Sequence, residues 1–214
     1  GYHGFGRSAG AYRIASEWRS RGMEVKVVDC FNSFTLQQLK DIIVQNKTSE
    51  TEFVGFSTTF LLDRENNSVW DNNEKRPKPR AKIVEDADKL TPTGLRIYDQ
   101  YDLFSFIKSL GLKVVLGGWR TGTADDPEID YIYGPCEDRY FPEFDFTKSQ
   151  ILYDESDHIM EGEDLPIEIA RGCIFKCKFC FYHLNGKKLW EYVKSPQVLR
   201  EEMMRNYINF GTTG

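Results

Sequence analysis

The amino-acid sequence predicts an α/β fold built on a doubly wound parallel sheet, and two observations lead to this prediction. Short strands rich in β-branched residues alternate with amphipathic helical segments through the first half of the chain. Polar or glycine residues follow these strands, at the edge where ligands bind in sheets of this kind. A third observation, three cysteines between a predicted strand and a predicted helix, indicates a second structural region near the end of the sequence.

The predicted elements begin with a helix and then alternate. Helices are identified by apolar residues at helical spacing, and strands by short β-branched or apolar runs. In chain order the predictions are helix 8–20, strand 24–29, helix 35–44, strand 53–57, helix 98–110, strand 113–116 and a strand that begins at Ile129. This order predicts a Rossmann-like sheet with ligands at the carboxyl ends of its strands.

A charged segment interrupts this pattern at residues 63–90. It contains 14 charged residues among 28, with two prolines inside a basic run. Its apolar content is too low for a core of its own, which favours a solvated surface insertion. A lid or a partner-docking arm is the alternative, and the sequence leaves both open.

The three clustered cysteines are Cys173, Cys177 and Cys180, spaced C-x3-C-x2-C. Three thiolates can hold a 4Fe-4S cluster by three of its irons, which leaves the fourth iron without a protein ligand. A structural zinc site needs four ligands, and no second cysteine pair is present; His183 is the nearest candidate for a fourth ligand. Cys30 and Cys136 are interpreted as ordinary thiols.

The spacing C-x3-C-x-aromatic-C, with Phe179 in the aromatic position, resembles the signature of the radical S-adenosylmethionine superfamily. The resemblance implies that the three cysteines ligate a 4Fe-4S cluster, whose open iron binds S-adenosylmethionine. One electron then cleaves this molecule to methionine and a 5'-deoxyadenosyl radical. It also implies that Phe179 lies near the adenine and that an external reductant of the flavodoxin or ferredoxin type supplies the electron.

The surroundings of the cysteines agree with this resemblance. Residues 165–170 read as a strand, and Ser195-Pro196 reads as the start of a helix. In that helix the apolar residues recur near helical period as far as Phe210, namely at Val198, Leu199, Met203, Tyr207 and Ile208. Strand, cysteine loop and helix would open a (β/α) barrel. Since such barrels need roughly 200 or more residues, we expect a fragment of a longer protein, cut at both ends.

The first region resembles the cobalamin-binding domain that precedes the barrel in many of these enzymes. The fingerprint of that domain is D-x-H-x-x-G, then S-x-L, then G-G. The sequence keeps parts of each motif, with Gly1 in place of the aspartate and Thr59 in place of the leucine. The resemblance therefore implies cobalamin contacts from His3, Gly6, Ser57, Thr58, Gly117 and Gly118. Without the aspartate, ligation of cobalt by His3 does not follow.

These resemblances divide the chain into three parts. Residues 1–139 are predicted to form the cobalamin-binding-like domain, residues 140–164 a linker, and residues 165–214 the opening of the barrel. The net charge of −5 argues against nonspecific nucleic-acid binding. No apolar run is long enough to span a membrane, and the free cysteine triad favours a reducing cytoplasm.

The sequence thus predicts a radical S-adenosylmethionine enzyme that carries out cobalamin-dependent methyl transfer on a small-molecule or peptide substrate. One alternative is a cyclase or rearrangement enzyme whose cobalamin domain has degenerated. Another is a non-catalytic metal-binding or electron-transfer module in which His183 or an external ligand closes the site. Formation of 5'-deoxyadenosine and retention of a corrin would distinguish these three hypotheses.

Overall fold

The computed structural model describes residues 7–29, 34–57, 100–117, 128–133, 141, 143–171 and 193–212. Contacts divide the chain into two compact units. One comprises Gly1–Asp29 together with Glu137–Gly214, and the other comprises Cys30–Cys136. The predicted charged insertion at residues 63–90 lies outside the described residues.

The described residues form four α-helices, three β-strands and one short 3-10 helix. The α-helices are α1 (Ala9–Arg19), α2 (Leu36–Asn46), α3 (Gln100–Ser109) and α4 (Pro196–Phe210). The strands are β1 (Phe53–Ser57), β2 (Lys113–Gly117) and β3 (Tyr131–Tyr133), and the 3-10 helix is Glu155–Asp157. These helices and strands match the predicted ones to within a few residues.

The three strands of the unit Cys30–Cys136 form one parallel sheet in the order β1-β2-β3. The register of β1 and β2 runs from Phe53 opposite Lys113 to Ser57 opposite Gly117. Parallel neighbours need a crossover, and α3 lies between β1 and β2 in the chain. The predicted α/β class is therefore confirmed.

Helices α2 and α3 share an apolar core with the sheet. Every second residue of β2 is buried, and Val114 and Leu116 face the helices. The buried residues of this core are Leu39, Leu103, Phe104, Ile107, Leu112, Val114 and Leu116. Full burial of one such large apolar side chain stabilises the folded state by about 1.5–3 kcal/mol. The shared core therefore holds α3 against the sheet.

The other unit is built from α1, the segment 141–171 and α4. Phe141, Phe146 and Ile151 are buried although they lie in irregular backbone. The ring of Phe141 packs edge-on against Trp18 of α1, with 5.2 Å between centroids. The hydroxyl of Ser16 accepts a hydrogen bond of 2.7 Å from the backbone N–H of Leu152. Much of the stretch predicted as a linker is therefore packed within this unit.

Two predicted strands are wrong. Residues 23–28 have no strand structure, and the carbonyl of Val25 accepts hydrogen bonds from the Arg19 guanidinium. Residues 163–169 also lie outside any strand, and only Ala170 forms an isolated antiparallel bridge, with Val193. A β-branched or alternating run becomes a strand only where a neighbouring strand pairs with it, which periodicity cannot show.

Helix α4 is confirmed, but the face it buries is not the predicted one. Met203, Met204, Tyr207 and Ile208 are exposed, with Ile208 reaching 72 % exposure. Glu202 and Asn206, one helical turn apart, are 0 % and 3 % exposed. The apolar spacing therefore identified the helix but not its buried side, because Lys194 and the backbone of Ile151 hold Glu202 inside the unit.

Candidate functional site

The structure describes two of the predicted site residues, Ser57 and Gly117. The others lie outside the described residues, namely His3, Gly6, Thr58, Gly118, Cys173, Cys177, Phe179 and Cys180. Two regions can therefore be described, each within its own unit: the ends of the strands, and the residues on either side of the cysteine segment, residues 172–192.

Ser57 and Gly117 end neighbouring strands at the same level of the sheet. They are register partners in the parallel pairing of β1 with β2, and Gly117 is also the register partner of Tyr133 in β3. Both are half-buried. A Cβ added at Gly117 would meet no heavy atom of the described residues within 4 Å. A hydroxyl and a glycine backbone thus lie together at the carboxyl edge, where parallel sheets bind ligands.

The two ends of the cysteine segment are held together by backbone pairing. Ala170 bridges Val193 in antiparallel fashion, and the N–H of Lys194 donates to the carbonyl of Ile169 at 3.0 Å. Immediately afterwards the Ser195 hydroxyl accepts a hydrogen bond from the N–H of Val198 and caps α4, with Pro196 in the first turn. The predicted cap is confirmed, and it fixes where the chain leaves this segment.

Glu168 and Arg171 form an ion pair just before the cysteine segment. The Arg171 guanidinium donates from Nε at 2.9 Å and from Nη2 at 3.1 Å to the two carboxylate oxygens. The buried Arg13 of α1 pairs with the same carboxylate. Burial alone would raise the pKa of Glu168, but the hydrogen bond from Arg171 and the charges of both arginines outweigh it and lower that pKa. Glu168 is therefore a fixed anion that orients two cations.

A second ion pair joins Lys194 to α4. The Nζ of Lys194 lies 3.1 Å from the Glu202 carboxylate, and both side chains are completely buried. Glu202 also accepts a hydrogen bond of 2.9 Å from the backbone N–H of Ile151. Desolvation lowers the pKa of Lys194, and the attraction of Glu202 opposes this effect. This pair connects Lys194, which follows the Ala170–Val193 bridge, to helix α4.

Two further buried polar groups lie on this side of α4. The amide nitrogen and oxygen of Asn206 have no hydrogen-bond partner among the described residues, and neither has the hydroxyl of Tyr153. The Tyr153 ring packs edge-on against Phe210, one turn beyond Asn206, with centroids 6.3 Å apart. Burial raises the pKa of Tyr153, so its phenol is neutral at physiological pH. Buried polar groups thus lie beside α4 together with the aromatic rings of Tyr153 and Phe210.

Sequence reasoning missed this polar interior. Arg13, Glu168 and Glu202 each have apolar neighbours in the sequence, and nothing in those short patterns predicts that the charged side chain is buried. The one available signal was that Glu202 and Asn206 fall four residues apart on the side of α4 away from Met203 and Tyr207. That spacing does not reveal which side faces inward.

Within the described ranges there is no group of three or more histidine, cysteine, aspartate or glutamate residues placed to hold a metal ion. In the same part of the chain, no helix has the length and apolar character needed to cross a bilayer. The chain was compared with protein-family models, with curated proteins and with solved structures, and none of them matched.

Proposed function

We propose that this chain is part of a radical S-adenosylmethionine enzyme that uses a 4Fe-4S cluster. The observation that carries the proposal is the spacing of Cys173, Cys177 and Cys180, with Phe179 before the last cysteine. Three thiolates are a donor set that suits an iron-sulfur cluster with one iron open to a small molecule. When bound, the cluster would supply the electron that cleaves S-adenosylmethionine.

The chain's own contribution would be to hold the cysteine segment in place. The Ala170–Val193 bridge joins the two ends of that segment, and the buried Lys194–Glu202 pair fixes the second end to α4. On the first side, Glu168 holds the Arg171 side chain through two hydrogen bonds. These contacts support a segment whose two ends are held close together. A fixed ligand geometry is what a reactive cluster requires of its protein.

We further propose that the unit Cys30–Cys136 binds cobalamin as a doubly wound, Rossmann-like domain. Support comes from Ser57 and Gly117, which meet at the carboxyl edge of a parallel sheet. The serine hydroxyl can hydrogen-bond a polar group of the cofactor. Gly117 has no side chain, and no described residue lies within 4 Å of a Cβ added there, so a bulky ligand could approach the backbone. The corresponding reaction is methyl transfer to an unactivated carbon or a phosphinate centre of a small-molecule or peptide substrate.

The cluster is tested by anaerobic reconstitution of the full-length protein with iron and sulfide. After reduction, incubation with S-adenosylmethionine should yield 5'-deoxyadenosine and methionine. Cys177→Ala should abolish both the product and the 4Fe-4S absorption. Cys30→Ala is the matched control, since it removes a thiol outside the triad and should keep both. Tightly bound zinc with no 5'-deoxyadenosine would instead identify a non-catalytic metal module.

Cobalamin binding is tested separately on the same protein. Hydroxocobalamin is added in excess, and the protein is then separated from free corrin by gel filtration. A corrin spectrum that comigrates with the protein is expected. A folded protein that forms 5'-deoxyadenosine but retains no corrin would overturn the cobalamin assignment and leave the radical chemistry standing.

A further inference from the structure

We propose that Arg13 of α1 is a positioning residue for the cysteine segment, and that it acts on this segment through Glu168 and Arg171. The inference rests on the cluster function proposed above and deepens it, because cluster ligands must be held in place by groups that do not touch the cluster. In the sequence, α1 falls within the predicted cobalamin-binding-like domain. In the structure it belongs to the unit Gly1–Asp29 with Glu137–Gly214, which also contains both flanks of the cysteine segment.

The Arg13 side chain is completely buried within this unit. Its Nη1 donates to the Ser149 hydroxyl at 2.5 Å, and its guanidinium lies 5.5 Å from the centroid of the Phe146 ring. Both contacts are made with the segment 141–171, so they fix the guanidinium relative to that segment as well as to α1. An arginine stays protonated at any physiological pH, so the charge that it presents to its neighbours is permanent.

Glu168 connects Arg13 to the start of the cysteine segment. Its Oε2 forms an ion pair with the Nε of Arg13. The Nε of Arg171 donates to Oε1 of the same carboxylate at 2.9 Å, and its Nη2 donates to Oε2 at 3.1 Å. Two parallel hydrogen bonds fix the plane of a guanidinium as well as its distance. The Glu168 carboxylate thus places Arg171 relative to Arg13.

The backbone around Glu168 does not supply this order by itself. Residues 163–169 form neither a helix nor a strand, and Ala170 takes part in an isolated bridge. Side-chain contacts with other parts of the unit therefore decide where Glu168 and Arg171 lie. The Phe146 ring adds to these contacts, since its centroid lies 4.7 Å from the Arg171 guanidinium.

Arg171 is joined to the first cysteine by a very short stretch of chain. It stands two residues before Cys173. Two residues of fully extended chain span at most about 7 Å, so the start of the cysteine segment cannot move independently of Arg171. The other end is held separately by the buried Lys194–Glu202 pair. Loss of the Arg13 side chain should therefore loosen the first end and leave the second in place.

Alkylation rates of single thiols in the full-length protein test this inference. The protein is treated with iodoacetamide without oxygen and before iron is added, and its five cysteines are followed by mass spectrometry of their peptides. Arg13→Gln should raise the rates of the three cysteines of the segment by about threefold or more, because local opening exposes them. Cys30 and Cys136, which belong to the other unit, should keep their wild-type rates. An equal rise at all five thiols, or no rise at all, overturns the proposal.

Two further variants show whether the charge of Arg13 is responsible. Arg13→Lys keeps a cation opposite Glu168, so its thiol rates should lie closer to those of the wild type than the rates of Arg13→Gln do. Lys148→Gln removes a cation of the same unit that is 82 % exposed, and it should leave all five rates unchanged. Equal rates for Arg13→Lys and Arg13→Gln, or an equally large response to Lys148→Gln, would contradict the proposal.

Glu168→Gln provides a test that retains the buried arginine. This change removes the charge of the carboxylate with little change in side-chain volume, and it should raise the rates of the same three cysteines. The double variant with Arg13→Gln should match Glu168→Gln alone, since Arg13 acts through this carboxylate. Multiplied effects in the double variant would show that Arg13 reaches the segment by another route, and the proposal would fail. If Arg13→Gln does not fold, the absence of a selective rise in Glu168→Gln overturns the proposal.

The reconstituted protein separates this inference from the function on which it rests. With a 4Fe-4S cluster in place, Arg13→Gln should lose iron to a chelator about tenfold faster than the wild type. A wild type that forms no cluster but shows the selective thiol response would overturn the cluster function and retain the positioning role. A wild type that forms the cluster, while Arg13→Gln changes neither the thiol rates nor the loss of iron, would overturn the positioning role alone.

Discussion

Lys194 and Glu202 form an ion pair of 3.1 Å in which neither side chain is exposed to solvent. The pair lies eight residues apart in the chain and joins the residue after Val193 to the middle of α4. Burial of both charges is costly, and the backbone N–H of Ile151 gives Glu202 an additional hydrogen bond. The pair therefore fixes the orientation of α4, although its net contribution to stability is small.

This pair gives a first prediction. Lys194→Met or Glu202→Leu alone should lower the free energy of unfolding by about 3–5 kcal/mol, because each leaves one buried charge without its partner. The double variant should be much closer to the wild type than the sum of the single changes. Urea unfolding of the four proteins gives the coupling energy. Additive losses would contradict a direct pair.

An exposed ion pair provides the control for these Lys194 and Glu202 variants. Lys26 lies 3.6 Å from Glu24, and both side chains are largely exposed. Lys26→Met should therefore change the free energy of unfolding by less than about 1 kcal/mol. A loss as large as that of Lys194→Met would show that the effect does not depend on burial.

Gly211 gives a second prediction, on backbone conformation. It ends α4 in the left-handed region with φ of 65°, and its N–H donates to the carbonyl of Tyr207 at 2.8 Å. Gly211→Ala should lower the free energy of unfolding by about 1 kcal/mol or more. Alanine disfavours this φ, and its Cβ would lie 3.2 Å from Cγ of Glu161. Thermal unfolding should show a lower Tm.

Gly10→Ala is the matched glycine substitution. Gly10 lies in the first turn of α1, and an added Cβ would meet no atom within 4 Å in the ranges that the structure describes. Alanine should therefore raise the free energy of unfolding by about 0.5–1 kcal/mol, the opposite sign to Gly211→Ala. Equal destabilisation by both changes would exclude helix geometry as the cause.

Glu163 gives a third prediction, on pH dependence. Its carboxylate accepts hydrogen bonds from Arg7, including one of 2.9 Å from Nη2, and these lower its pKa below the ordinary value of 4.5. The folded state therefore binds fewer protons on Glu163 than the unfolded state does. Its stabilising contribution is complete above about pH 4.5 and is lost as pH falls through the lowered pKa.

Glu163→Gln measures this contribution. The variant should be less stable than the wild type at pH 7, and the difference should narrow as the pH is lowered from about 5 to 3. Urea unfolding across this range is the measurement. Glu24→Gln, at a largely exposed side chain, should follow the wild-type profile. A constant difference between Glu163→Gln and the wild type would refute an ionic contribution from Glu163.

The strand ends give a fourth prediction, which rests on the proposed cobalamin site. Gly117→Val should weaken retention of hydroxocobalamin at least tenfold, since its side chain would occupy the position beside the backbone that the described residues leave free. Gly55→Val is the control, two residues before Ser57 on β1, where an added Cβ meets no atom of the described part of the chain within 4 Å. Gel filtration with corrin absorbance measures retention. Equal retention by both variants would exclude this edge as the site.

Much of the secondary structure could be predicted because it depends on local physics. Helix α2 begins at Thr35, whose hydroxyl accepts from the N–H of Gln38 while the Gln38 side chain accepts from the N–H of Thr35. Helix α4 begins at Ser195 for a similar reason. The apolar runs of β1 and β2 became paired strands because each had a neighbour with a matching core face.

The errors arose where partners far apart in the chain decide the outcome. Residues 24–29 have strand composition, yet the carbonyl of Val25 accepts a hydrogen bond from the Arg19 guanidinium and not from a neighbouring strand. Residues 165–170 alternate as a strand does, yet the Glu168 side chain is held by Arg13 and Arg171. Composition shows that a segment is able to form a strand, but the strand forms only where a neighbouring strand is available to pair with it.

The sequence by itself determined the helices, the strands β1 and β2, the starts of α2 and α4, and the spacing of Cys173, Cys177 and Cys180, because propensity, capping and ligand spacing are local properties. The tertiary structure alone decided that Ser57 and Gly117 meet at one edge of the sheet. It also decided that α4 turns Glu202 rather than Met203 inward. Register and burial depend on residues that are distant in the chain, and no local pattern contains them.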